Sequence, residues 1–143
     1  MRETQEALAA PGDITLFEPA LRWADILVRA DILERRSGSC RLIEVKSSAK
    51  VKDYHVTNAG IQTWVLRGAG LTVARTEIAH INNQFVYPGG GDYRGLFTYA
   101  DVSDAILPLQ GLPCDMRSGN FVGHQRFARG PERVSVRGAA AHN

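Results

Sequence analysis

The chain has 143 residues, of which 44% are hydrophobic and 22% charged, the make-up of about one globular domain with a modest core. A formal net charge of +2 is too small for a general electrostatic grip on phosphates, so any nucleic-acid contact must rest on local charge. Cys40 and Cys114 stand in no metal-ligand spacing, no stretch nears the ~18 consecutive apolar residues of a bilayer span, and MRETQEALAAPGD lacks a secretory apolar run; a zinc site, a disulfide framework, membrane insertion and secretion drop out, and the cytoplasm is the expected compartment.

In chain order, residues 3–10 suit a short helix ended by Pro11, Gly12 and Asp13. Residues 14–17 and 21–23 read as strand, with Glu18-Pro19 between them marking a bulge or an edge position. In DILVRADILE, residues 25–34, period two places Ile26, Val28, Ala30 and Ile32 on one face and Leu27, Arg29, Asp31 and Leu33 on the other. Both faces are largely apolar, which predicts one central strand. ERRSGS then suits a hairpin turn into CRLIEVK, residues 40–46.

From 53 to 69 the period changes. Val56, Ala59, Ile61, Trp64, Val65 and Leu66 recur at helical spacing, with Asp53 or Thr57 as N-cap, Gly68 or Gly70 as stop, and Trp64 assigned to the core. Residues 72–87 resume alternation, as one long strand or a hairpin bent at Asn82-Asn83, and the preceding helix makes them a candidate parallel neighbour of 40–46. The fold class is α/β, a mixed central β-sheet with a crossover helix, over residues 1–106. Residues 107–143 collect arginine, glycine and small residues and are expected to form an irregular or flexible tail.

On the 40–46 strand Glu44 and Lys46 project to the same side, while Ile43 and Val45 anchor the other. A carboxylate and an ammonium on an apolar strand are costly unless they pair or bind something. Asp31, across the hairpin, offers a second carboxylate. A hard divalent cation such as Mg²⁺ takes oxygen ligands and keeps several waters, so Asp31, Glu44, one strand carbonyl and waters make a minimal phosphodiester-hydrolysis site. In that site Lys46 would hold the attacking water or neutralise developing charge.

The runs VRADILER, RLIEVKSS and VKDYH, followed by a helix containing IQTWVLRGAG, resemble the nuclease core of RecB-like proteins in the PD-(D/E)xK superfamily, over roughly residues 14–97. The resemblance implies a restriction-endonuclease-like core, Mg²⁺ or Mn²⁺ as cofactor, and DNA as substrate, within a larger nuclease or helicase assembly. It further implies Asp31, Glu44 and the Val45 carbonyl as metal ligands, Lys46 as the catalytic lysine, and Gln62 as the helix glutamine of the motif. The family pattern commonly continues with a tyrosine after that glutamine, where this chain has Trp64, Val65 and Leu66. A longer N-terminal helical region and a cysteine-ligated cluster found in such relatives are also not seen, so the chain reads as a shortened member.

A second reading stands beside each of these. Asp31, Glu44 and Lys46 also suit a salt-bridge cluster that stabilises a hairpin, and Gln62 a polar helix residue bonding a strand. Lys50, Lys52, Tyr54 and His55 follow the charged strand and suit substrate contact, or equally a solvated loop and a core-edge aromatic. His80 reads as structural, Glu18 as a surface carboxylate, and the glycines at 89–91 as a flexible turn, since they lack the strand-to-helix setting of a phosphate loop. For the whole chain the alternative to a nuclease is a catalytically inactive nucleic-acid-binding remnant or a structural fragment of a larger nuclease-related protein.

Overall fold

A computed structural model describes residues 1–111, so the expected tail lies outside the described residues from 112 onward. The architecture is mixed α/β: a five-stranded sheet in the order β1-β4-β5-β6-β7, a two-stranded sheet of β2 and β3, and three helices. Among the described residues no helix is long and apolar enough to cross a membrane.

Strands β1 (Ile14–Phe17) and β2 (Ala20–Trp23) pair antiparallel with β4 (Ile32–Arg36) and β3 (Ile26–Arg29). The two ladders share one register, and the Glu18 N–H donates to the Asp31 carbonyl at 2.9 Å and the Ala30 N–H to the Pro19 carbonyl at 3.1 Å across the gap. The whole is one bent hairpin. Pro19 has no N–H to add to the ladder and Glu18 takes a φ of 52°, so the ribbon breaks where the sequence placed an irregularity. This corrects the expectation of a single strand over 25–34: opposite Pro19 the return strand divides at Ala30-Asp31, and its halves join different sheets.

Both hairpin turns are two residues long with positive φ at each position, Ala24 and Asp25 in one and Ser37 and Gly38 in the other. That backbone matches the right-handed twist of the strands it joins. The second turn leads into β5 (Ser39–Lys46), antiparallel to β4. Helix α1 (Arg2–Ala9) is tied to the sheet by Arg35, whose guanidinium donates to the carbonyls of Leu8 at 2.7 Å, Gly12 at 2.8 Å and Ala10.

Helix α2 (Asp53–Gly68) crosses over β5 and returns the chain to β6 (Val73–Ile81), which lies parallel to β5 as expected. Its N-cap is Lys52 rather than Asp53 or Thr57. The Lys52 N–H donates to Nδ1 of His55 at 3.2 Å, the return bond that a Glu supplies in a capping box. At the other end Leu71 N–H reaches the Leu66 carbonyl and Gly70 N–H the Arg67 carbonyl, a Schellman closure that the φ of 93° at Gly70 permits. Ala59, Val65 and Leu66 are buried, while Trp64, expected in the core, is only partly covered.

The alternation at 72–87 ends at Ile81; residues 82–96 form a loop, and an unanticipated strand β7 (Phe97–Asp101) pairs antiparallel with β6. As an edge strand with no fully buried residue, β7 carries little apolar signal. A short helix α3 (Leu107–Gln110) opens the segment expected to be irregular and packs on α2, with Gln110 Nε2 donating to the Gly60 carbonyl at 2.9 Å. One core cluster, around Leu21, Leu33, Leu42 and Leu66, joins the bent hairpin and β5 to α2. A second, around Ala59, Ile78, Val102 and Ile106, joins α2 to β6 and the segment after β7.

The packing of β2 on α2 decides the sign of one substitution. Replacing a helix glycine by alanine ordinarily stabilises by about 1 kcal/mol. At Gly68, however, an added Cβ falls within the indole ring of Trp23. Gly68→Ala is therefore expected to lower the urea midpoint, by about 1–2 kcal/mol in stability.

Candidate functional site

The charged residues of the sequence meet on the face of the five-stranded sheet that α2 covers. Asp31 sits one step beyond the Ile32↔Ile43 pair, opposite Glu44, and its Oδ2 accepts the Val45 N–H at 2.7 Å. Glu44 is 1% exposed in the middle of the sheet. Its Oε1 lies 2.5 Å from Lys46 Nζ, and its Oε2 accepts Gln62 Nε2 of α2 at 2.9 Å. Period two along β5 puts Lys46 beside Glu44, and the crossover sets α2 above both. Asp31, Glu44, Lys46 and Gln62 thus form one cluster, with Val45 tied in through its N–H.

The electrostatics of the cluster centre on Glu44. Burial raises the Glu44 carboxyl above its usual 4.5; the Lys46 hydrogen bond opposes this and the Asp31 charge adds to it, with a net upward shift. Burial is the chief cause of the rise, with Asp31 adding to it. Gln62, by donating to Glu44, is left with Oε1 buried and without a hydrogen-bond partner among the described residues. Such an acceptor costs about 1–3 kcal/mol. A hydrated cation held by Asp31 and Glu44 would supply positive charge to the carboxylates and water donors within the site. Among the described residues no group of three or more His, Cys, Asp and Glu side chains is disposed to hold a metal. Two carboxylates suit a hydrated Mg²⁺ or Mn²⁺ rather than an ion that needs a full set of protein ligands.

Beside Lys46 lies a cavity of about 320 Å³ whose walls include Ser47, Lys52, Tyr54, His55 and Asn58. The residues expected to contact substrate thus divide. Lys52, Tyr54 and His55 line the cavity, whereas Lys50 is exposed, lies off its walls, and uses its carbonyl to accept Ser48 Oγ at 2.8 Å. His55 is 2% exposed and packs edge-on against Tyr54 at 4.3 Å between ring centroids. Burial, then the charges of Lys46, Lys52 and His80, hold its imidazole below the usual 6.5.

His80, expected to be structural, has Nδ1 3.4 Å from the Ile81 carbonyl oxygen and stands in register with Lys46. Ser47 and Asn58 were not singled out at all. The parallel register would have pointed to His80, whereas nothing in the sequence marks Ser47 or Asn58 before the strand end and the first turns of α2 are known to adjoin. Glu18 pairs with Arg29 on the surface, as expected of a surface carboxylate. No family model, curated protein or solved structure matches the chain, so the reading rests on these residues alone.

A buried neutral histidine has a definite pH consequence. The unfolded chain takes up a proton near 6.5 that folded His55 resists, so its contribution to stability is complete above 6.5 and is lost as pH falls below that value toward the depressed folded one. Glu44 has the opposite sign, because its raised carboxyl favours the folded state as pH falls toward 4.5. Comparison of urea midpoints at about pH 5 and about pH 7.5 should therefore show a smaller loss on acidification for His55→Gln than for the parent chain.

Proposed function

We propose that the chain is a RecB-like nuclease core of the PD-(D/E)xK type, hydrolysing DNA phosphodiester bonds with Mg²⁺ or Mn²⁺. The observation that carries this reading is the convergence of Asp31 and Glu44 across one strand pair, with Lys46 bonded to Glu44 at 2.5 Å and Gln62 at 2.9 Å. The order of a hairpin ending in β5, a crossover helix and a parallel β6 supports a restriction-endonuclease-like core. In this reading Asp31, Glu44 and the Val45 carbonyl hold the cation, which supplies, when bound, charge that polarises the phosphodiester and acidifies water.

The remaining work falls to the chain's own groups. Lys46 places its ammonium beside the reacting phosphate and offsets the negative charge that grows on its oxygens. Gln62 holds Glu44 in place from α2 and offers Oε1 to a water at the site. Helix α2 and β5 keep bulk water from Glu44, which strengthens every interaction the carboxylate makes.

One observation favours a second reading. Both Glu44 oxygens already have partners, which is also how a purely structural ion pair looks, and a catalytically inactive nucleic-acid-binding remnant would preserve it. Labelled single- and double-stranded DNA separates the two. Cleavage is expected only with Mg²⁺ or Mn²⁺, and Lys46→Ala or Asp31→Asn should slow it on the order of 10²- to 10³-fold. Binding without metal-dependent cleavage would favour the remnant; cleavage indifferent to Lys46 would remove the enzyme reading.

A further inference from the structure

We propose that the cavity beside Lys46 is a phosphate site, and that it is coupled to the Asp31–Glu44 carboxylates through Lys46. The proposal rests on reading those carboxylates as a cation site.

The walls are built for an anion. Lys46 and Lys52 supply two positive charges, Ser47 and Asn58 supply neutral donors, and no carboxylate lines the cavity among the described residues. His55, also in the wall, has a donor to offer. Its Nδ1 accepts the Lys52 N–H at 3.2 Å, so a neutral ring must carry its proton on Nε2, which makes no hydrogen bond among the described residues. The first turn of α2 forms part of the same wall, with the positive end of a 16-residue helix behind it. At about 320 Å³ the space exceeds a phosphate group and falls at the low end of small-molecule sites, roughly 300–1,000 Å³, leaving room for an attached sugar against Tyr54.

Lys46 belongs to both places. Its Nζ sits 2.5 Å from Glu44 Oε1, yet the side chain is 20% exposed and forms part of the cavity wall. One ammonium cannot fully serve a carboxylate and a phosphate at once. Positive charge placed between Asp31 and Glu44 frees Lys46 for an anion in the cavity, and an anion there draws Lys46 from Glu44. By linkage each ligand must then strengthen the other by the same factor. The phosphate source is a nucleic-acid strand, because the cavity opens beside the cluster that acts on a phosphodiester in the proposed function.

The test is a titration of the full chain with inorganic phosphate at constant ionic strength, followed by ³¹P line broadening or calorimetry, with and without Mg²⁺. Saturable binding is expected, weakened roughly tenfold by Lys52→Gln and by Asn58→Leu, and strengthened about fivefold or more by Mg²⁺. Asp31→Asn should lose the Mg²⁺ effect. No saturable binding, or binding indifferent to both cavity variants, overturns the phosphate site. A separate Mn²⁺ titration divides the remaining failure: Mn²⁺ bound with no change in phosphate affinity overturns the coupling, and no Mn²⁺ bound overturns the cation reading while the cavity result stands. A short oligonucleotide without terminal phosphates should displace the inorganic ion; failure to do so overturns the strand as source and leaves a free phosphomonoester.

Discussion

A carboxylate at the centre of a sheet is the constraint around which this molecule is arranged. Glu44 occupies a position on β5 that an aliphatic residue would ordinarily fill, at 1% exposure, and a charge so placed costs several kcal/mol unless neighbours compensate it. Its partners include Lys46, two residues along the same strand, and Gln62, from the helix above. The Gln62 bond ties α2 to β5 through Glu44. Asp31 works against the arrangement, because a second negative charge beside the first makes Glu44 harder to ionise. Gln62 Oε1 is left without a hydrogen-bond partner among the described residues, and a hydrated cation at the proposed site would offer it a water donor.

The opposite face of the sheet shows what a purely structural charge cluster looks like in the same protein. Glu77, also buried, is satisfied by Arg75 at 2.8 Å and by Arg41, and Arg75 goes on to Asp101 at 3.0 Å. There basic and acidic groups alternate across β5, β6 and β7, and no buried acceptor of that cluster lacks a partner. Around Glu44 the ammonium of Lys46 sits with Asp31 close by, whereas the guanidiniums of Arg41 and Arg75 serve Glu77 together with Glu34 and Asp101. What differs among the described residues is the unpartnered acceptor, Gln62 Oε1, beside Glu44.

Much of this was legible in the residues, and the parts that were not share a cause. Period two placed Glu44 and Lys46 on one side of a strand, the polar ERRSGS gave a tight turn, and helical spacing bounded α2 nearly to the residue. Asp31 was assigned to the correct face, although the strand carrying it is split, because the break opposite Pro19 preserves register. What escaped depended on contacts distant in sequence. The division of residues 25–34 between two sheets follows from Pro19 on the opposing strand, and β7 is an edge with little burial to impose a pattern. Lys52 caps α2 because His55 reaches back to it, a role normally filled by a different residue type. Ser47 and Asn58 meet in the cavity wall only through the crossover, and His80 comes beside Lys46 only through the parallel register, which no local pattern encodes.

The central claim is that Asp31 and Glu44 form one site for a divalent ion, and Mn²⁺ tests it without reference to turnover. Electron paramagnetic resonance of free Mn²⁺ during a titration should show one saturable ion per chain, displaced by Mg²⁺ and lost in Asp31→Asn. Mn²⁺ that stays free in the presence of the folded chain, or binds equally well to Asp31→Asn, would contradict it.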